Sequence, residues 1–475
     1  MGKIKFFGLL IIGGLLGLIS SCLGGDKFEN EEWNMANAQI MSFSLESNEV
    51  DLTDVKFTID QLNGKIFNYD SLPFGTVFEE KMIAKIDFDN ERYGIGAVLI
   101  IEASGDTVQS ISDSIDFSAP VMITVTAIDG ISTKSYEASL RIHQVNPDTM
   151  IWEQYAEIVP GKIFQDMKAL LYDDRYYLYS VENGAYQLYV SDVKALVDWE
   201  KRDLSGFPNR AVISQLAVFE QAFYVVTEEG DLYCAADGQD WKPVASEWPV
   251  KALSGYLPAD TISGRDAVLC CIVDVDGVLR FTTIDRQLVF TTGQPVPETF
   301  PLSGFSHLNY ETRYYPRLVV AAGRDSQNKL SNMAWATMDG RTWAMLTHRD
   351  ATFTPREGAA FVRYDGCFFV IGGIGADGEA LKDVYFSKDQ GVTWLHGVSV
   401  LQEDEDEDDD EEAEDVYVLK EIYPMPEDFA PRGYTSVFTD KDDYMLLFGG
   451  KAGKDKNVWN EIWRGRINRL GFGKE

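Results

Sequence analysis

The sequence predicts an all-β protein in two parts, a sandwich followed by a six-bladed β-propeller closed by an N-terminal outer strand. Three observations predict it. Apolar-alternating runs broken by turn residues fill the first part, a tryptophan-marked unit recurs through the rest, and one copy of that unit is divided between its two ends. At 475 residues the chain is too long for a single core. Its 12% aromatic content and 40 glycines favour strands and turns.

The repeat decides the larger part, residues 147–475. Tryptophans fall at Trp152, Trp199, Trp241, Trp343 and Trp394, and Leu288 to Phe290 fills the double step between Trp241 and Trp343. Turn residues precede most of them, as in Asp237-Gly238-Gln239-Asp240-Trp241 and Asp339-Gly340-Arg341-Thr342-Trp343. In such a turn the carboxylate accepts backbone N–H bonds and glycine supplies a positive φ, so the chain reverses into the outermost strand of a blade. Five units lie between Gln165 and Trp394, and a sixth runs from Gly433 to the end without an outer strand. Trp152 is an outer-strand tryptophan with no unit before it, so Met150 to Glu157 is expected to complete the last blade and leave no open edge.

Residues 36–146 read as short strands. Val121, Ile123, Val125 and Ala127 alternate with polar partners, Asp129-Gly130 turns the chain, and Tyr136, Ala138, Leu140 and Ile142 alternate back. About 110 residues of this pattern fit an immunoglobulin-like sandwich, without the Cys…Trp…Cys core of antibody domains.

Residues 1–21 form a signal peptide: Lys3 and Lys5, then an apolar stretch from Phe6 to Ile19 shorter than a membrane span. It runs into Ile19-Ser20-Ser21-Cys22, which resembles the lipobox of bacterial lipoproteins. The resemblance implies a diacylglyceryl group on Cys22 and removal of the preceding peptide, with membrane lipid as the partner of Cys22. Several acyl chains together hold a stable anchor, each buried CH₂ contributing about 0.8 kcal/mol. Residues 22–35 read as a flexible tether. Its acids Asp26, Glu29, Glu31 and Glu32 resemble the export signal of surface lipoproteins of Bacteroidota, which implies an outer-membrane, surface-exposed location.

The formal charge of −34 argues against nucleic acid as a partner. Twelve of the acids lie in the run Glu403 to Asp415, within a loop (402–415) expected to be disordered, and −34 less those twelve leaves −22. The remaining cysteines, Cys234, Cys270, Cys271 and Cys367, fit neither a metal site nor a disulfide framework and read as small core residues. His143, His307, His348 and His396 show no metal-ligand spacing, and no nucleophile, zinc or phosphate-loop motif occurs, so no metal and no cofactor is expected.

Ser387-Lys388-Asp389-Gln390-Gly391-Val392-Thr393-Trp394 resembles the Asp-box of sialidase-like propellers. Pro355-Arg356-Glu357-Gly358 leading to Gly372-Gly373, and Pro431-Arg432-Gly433 leading to Gly449-Gly450, resemble kelch repeats. Pro316-Arg317 with Ala322-Gly323 reads as a weaker copy. Arg317, Arg356 and Arg432 are therefore candidate ligand-binding residues at one mouth of the channel, weighed against a role as packing residues where each blade begins. The whole layout resembles a family of Bacteroidota surface lipoproteins with an Ig-like domain and a kelch and Asp-box propeller, a resemblance that implies no activity. The leading reading is a non-catalytic binding protein for an extracellular glycan or protein, with no catalytic residue named. The rival is a surface glycoside hydrolase or lyase working at the channel mouth.

Overall fold

The structure is a computed structural model and describes residues 35–88, 94–348, 352–402, 417–421, 423–453 and 458–472. The signal segment 1–21, Cys22, nearly all of the tether and the acidic run 403–415 lie outside the described residues. Strands account for the regular structure, with 3-10 turns at Ile213–Gln215 and Asn468–Gly471. Contacts divide the chain into two units, Met1–Asn146 and Pro147–Glu475.

The first unit has a three-stranded and a six-stranded sheet sharing one core. The smaller sheet contributes Ile40, Phe43, Met82 and Ile115, the larger Ile66, Ile100, Ile123 and Tyr136. Val121–Thr126 and Thr133–Ser139 pair antiparallel with alternate residues buried. The Asp129 carboxylate holds their turn by accepting from the Ile131 and Ser132 amides at 2.9 and 2.8 Å. In Ile40–Glu46 the register shifts between Ile40 and Ser42, so Met41 is exposed and Phe43 returns to the core.

The described part of the second unit contains six four-stranded antiparallel sheets and a two-stranded ribbon, Val398–Gln402 with Tyr417–Glu421. The innermost strands are Asp166–Tyr172, Ala217–Phe219, Val250–Leu257, Ser306–Glu311, Ala360–Tyr364 and Ser436–Thr439. Each lies beside the next, and the last lies beside the first. Met150–Glu157 is the outermost strand of the sixth sheet and pairs antiparallel with Glu461–Ile467. The start and end of the unit are thereby joined through backbone hydrogen bonds.

Apolar packing follows the same circuit. Each of six buried clusters takes its residues from two consecutive sheets, and one of them joins the sixth sheet to the first. The periodic tryptophans belong to these clusters. Trp241 packs towards the first sheet, Trp343 towards the third, Trp394 towards the fourth, Trp152 towards the fifth and Trp199 towards the sixth. Leu288 occupies that place in the third sheet and packs towards the second. Each outer-strand ring therefore wedges against the preceding sheet, and this is why the period is readable in the sequence.

Adjacent Cys270 and Cys271 point into different clusters, as alternation along a strand requires. The Asp389 carboxylate holds the turn before Trp394. It accepts from the Ser387 hydroxyl (2.8 Å), the Thr393 amide (2.9 Å) and the Thr393 hydroxyl (2.6 Å).

Candidate functional site

The innermost strands enclose a cavity of about 500 Å³, lined by residues of all six sheets. Side chains stitch neighbouring strands around it. Ser436 Oγ accepts from the Ala169 amide at 3.0 Å, Gln215 Oε1 accepts from the Leu253 amide at 3.1 Å, and Ser306 Oγ donates to the Ala359 carbonyl at 2.5 Å.

One end of the cavity is built on backbone. The Gly358 amide donates to the Gly304 carbonyl at 2.6 Å, and the Tyr434 amide donates to the Gly358 carbonyl at 2.5 Å, linking three sheets. Gly304, Gly358 and Tyr434 hold equivalent left-handed conformations, with φ of 60°, 63° and 58°. The Tyr434 ring lies so close over Gly358 that a Cβ there would come within 2.6 Å of the ring. Its hydroxyl donates to Glu357 Oε2 at 3.0 Å, and Glu357 Oε1 accepts from Arg324 at 2.8 Å. Burial and the Glu357 charge push the Tyr434 hydroxyl far above the ordinary tyrosine range.

Two cations, Lys168 and Arg363, line the cavity, with the His307 imidazole beside them. Among the described residues no aspartate or glutamate lines the cavity, although the chain carries a formal charge of −34. Lys168 sits deep among protein atoms with part of its surface open to the cavity, and desolvation lowers its ammonium pKa. Asp166 partly opposes that shift, but its carboxylate is paired with Lys451 at 2.9 Å. Burial, aided by repulsion from Lys168, lowers the His307 pKa to about 4, so the imidazole is neutral at pH 7. The His307 ring rests on Gly255, where a Cβ would meet its Cδ2 at 2.6 Å. Aromatic wall residues include Tyr256, Phe305 and Phe438.

None of the three arginines expected at the channel mouth lines this cavity. Arg356 is fully buried. Its guanidinium grips Asp383 at 2.6 and 2.9 Å, the Gly372 carbonyl at 2.9 Å, the Thr354 carbonyl at 2.9 Å, and the Thr354 hydroxyl. Arg432 repeats the device one sheet on, with Glu461 at 2.6 Å, the Gly449 carbonyl at 3.2 Å and the Ala430 carbonyl at 2.9 Å. Both are clamps between the strands of one sheet, with their donors turned towards protein. Arg317 is different again. It lies on a second strand, Pro316–Ala321, against Tyr315, whose hydroxyl accepts from it at 3.3 Å. The fourth-sheet counterpart of Pro355-Arg356 is Pro301-Leu302, since Gly304 and Gly358 are equivalent. Pro316-Arg317 is therefore not a copy of that motif.

Lys168, Arg363 and Tyr434 were not singled out by sequence reasoning, and His307 appeared there only as a histidine without ligand spacing. No local motif marks them, because they come together only when strands far apart in sequence form the ring. Among the described residues no cluster of histidine, cysteine or acids has the arrangement of a metal site.

Sheets arranged around a central cavity define the class: the second unit is a β-propeller. The chain belongs to the DUF6242 family. Residues 146–475 match its beta propeller domain, and residues 31–140 match its N-terminal domain, described as a domain of unknown function. No curated protein matches the sequence. Among solved structures, one described as "Structure of YjhT" is similar with a TM-score of 0.42 and 12% identity, over 64% of this chain and 96% of that one.

Proposed function

We propose that this chain is a lipid-anchored, non-catalytic binding protein at the outer-membrane surface. In this reading Cys22 carries the lipid and an immunoglobulin-like sandwich acts as spacer. A six-bladed propeller of kelch and Asp-box character, closed by Met150–Glu157, takes an extracellular glycan or protein. Six sheets sharing six interfaces support the blade count. The observation that carries the binding reading is the cavity wall, drawn from all six sheets and without a lining carboxylate among the described residues.

Glycoside hydrolysis by the common route uses two carboxylates flanking the scissile bond, one to protonate the leaving oxygen and one to act as base or nucleophile. Asp166 and Glu357, each next in sequence to a cavity-lining residue, are held by Lys451 and by Arg324 with Tyr434. Neither is placed as a free acid or base facing a bound sugar. A glycan array run beside a hydrolysis and elimination screen, both on the mature chain, tests the reading. Binding without turnover is expected. Turnover abolished by replacing Asp166 or Glu357 would sink it. Metabolic labelling with palmitate, compared with Cys22→Ser, tests the anchor.

A further inference from the structure

We propose that the central cavity holds the acidic group of a negatively charged sugar, with Lys168 as its counter-ion and His307 and Arg363 beside it. This rests on the binding-protein reading above and names the ligand class for the same site.

The argument begins with cost. An ammonium taken out of water without a partner is unfavourable by several kcal/mol, so such groups are usually paired or replaced. Lys168 has no hydrogen bond and no ion pair to its ammonium among the described residues, and its single attractive neighbour, Asp166, is bonded to Lys451. His307 is held against Gly255 without a hydrogen bond to its ring among the described residues, and the field of Lys168 reaches it. Arg363 lines the same cavity and approaches only a ring face, 5.9 Å from the Tyr310 centroid. Lys168 and His307 thus face one space without an anionic partner among the described residues, and the exposed Arg363 adds a further cation to its wall. Lys168 repels the protonated form of His307, in a chain whose formal charge is −34.

A ligand anion supplies that partner. It ion-pairs with Lys168 and Arg363 and favours protonation of His307, which adds a further donor. The volume of about 500 Å³ suits an occupant of one or two sugar rings rather than a folded partner. Tyr256 offers a partly exposed aromatic face against which a sugar ring can stack, and Ser214 and Gln215 offer polar atoms to hydroxyls. The negative charge can come from a carboxylate or from a sulfate ester, which share this recognition chemistry.

The test is calorimetric titration of the mature chain with glucuronate, glucose 6-sulfate, glucose and inorganic sulfate. Binding of at least one charged sugar is expected, at least tenfold tighter than glucose and than inorganic sulfate. Which charged sugar binds better distinguishes the carboxylate from the sulfate source. Lys168→Met should weaken that binding at least tenfold, while Lys168→Arg retains it within a few fold. Thermal unfolding of Lys168→Met should show a fold as stable as the parent or more so, because the change removes an unpaired, half-buried charge. Glucose binding as tightly as glucuronate and its 6-sulfate, or Lys168→Met binding like the parent, would overturn the inference and leave the binding-protein reading intact. Inorganic sulfate preferred over every sugar would overturn the sugar assignment. Turnover of any of the sugars would overturn the non-catalytic reading alone, and no binding of any of the four would overturn the inference, leaving the glycan array to decide the broader reading.

Discussion

Arg356→Met is the sharpest test of how the arginines are used. The parent side chain is fully buried and makes five hydrogen bonds, two of them to Asp383. Methionine keeps much of the volume and removes every donor, stranding the Asp383 carboxylate and the Gly372 carbonyl. Breaking a buried ion pair from one side costs about 3–5 kcal/mol. Asp383 keeps 26% of its side chain exposed, so water recovers part of its solvation and about 3 kcal/mol is the better figure. For a unit of about 330 residues the unfolding entropy near 60 °C is roughly 0.7 kcal/mol/K, which converts this loss to a fall in Tm of about 4–5 °C.

The assay is thermal unfolding followed by circular dichroism, beside the glucuronate and sulfate-ester titrations. Arg356→Lys should lose nearly as much stability, since a single ammonium cannot reproduce the fork. Adding Asp383→Leu to Arg356→Met should recover part of the loss by removing the stranded charge. Ligand affinity should stay within a few fold of the parent throughout. An unchanged Tm together with lost binding would refute the clamp and restore Arg356 as a ligand-contacting residue.

Three further outcomes follow from the same contacts. A chain beginning at Ile158 loses the strand paired with Glu461–Ile467 and should unfold at lower urea than one beginning at Pro147, or fail to stay soluble. His307 has a folded pKa of about 4 against an ordinary value of 6.5, so the folded state binds fewer protons than the unfolded state between those values. Its neutral form favours folding above pH 6.5, and that contribution is lost as pH falls towards 4, by about 2 kcal/mol between pH 7 and 5. The parent should thus lose more urea stability than His307→Gln over that range; equal pH slopes would contradict the burial of the imidazole. Asp389→Ala removes the acceptor of three turn hydrogen bonds and should lower stability by about 1–2 kcal/mol in urea unfolding, without altering ligand affinity.

The period of the propeller was legible because its punctuation is local. In the Asp389 turn every bond closes within five residues, and the ring that follows wedges against the preceding sheet, so every repeat but the third, which has Leu288 there, writes its own tryptophan. The unmatched Trp152 showed the missing strand by simple subtraction. Pro-Arg was a poorer guide, being two residues long. In the working clamps the arginine meets the first glycine of its pair 16 or 17 residues later, Arg356 at Gly372 and Arg432 at Gly449. Ala322, the counterpart of those first glycines, follows Arg317 by only a few residues, too few to close an innermost strand and return along the next. The spacing, read closely, excludes Arg317 from that role.

The site was illegible for the opposite reason. Lys168, His307 and Arg363 stand on three strands with no shared motif, and their common property is facing the axis of the ring. A signal does exist once the repeats are superposed, and it lies in the departures from the repeat. At the cavity end, Gly304 and Gly358 adopt a left-handed backbone that glycine accepts freely, whereas Tyr434 adopts it at φ 58° with a full side chain. Such a conformation costs a bulky residue on the order of 1 kcal/mol, and glycine in the same place would relieve it. The tyrosine is kept, its ring across Gly358 and its hydroxyl on Glu357. Lys168 is the same kind of departure, a desolvated charge on an innermost strand where an apolar residue would raise stability. Tyr434 offsets its strain through those contacts, whereas Lys168 forgoes stability at the cavity wall with no hydrogen bond or ion pair to its ammonium among the described residues, and the ligand contact proposed above supplies the reason. Tyr434→Gly exchanges about 1 kcal/mol of relieved backbone strain for the ring contact over Gly358 and the hydrogen bond to Glu357, so the unfolding midpoint should fall; an unchanged or higher midpoint would contradict these contacts.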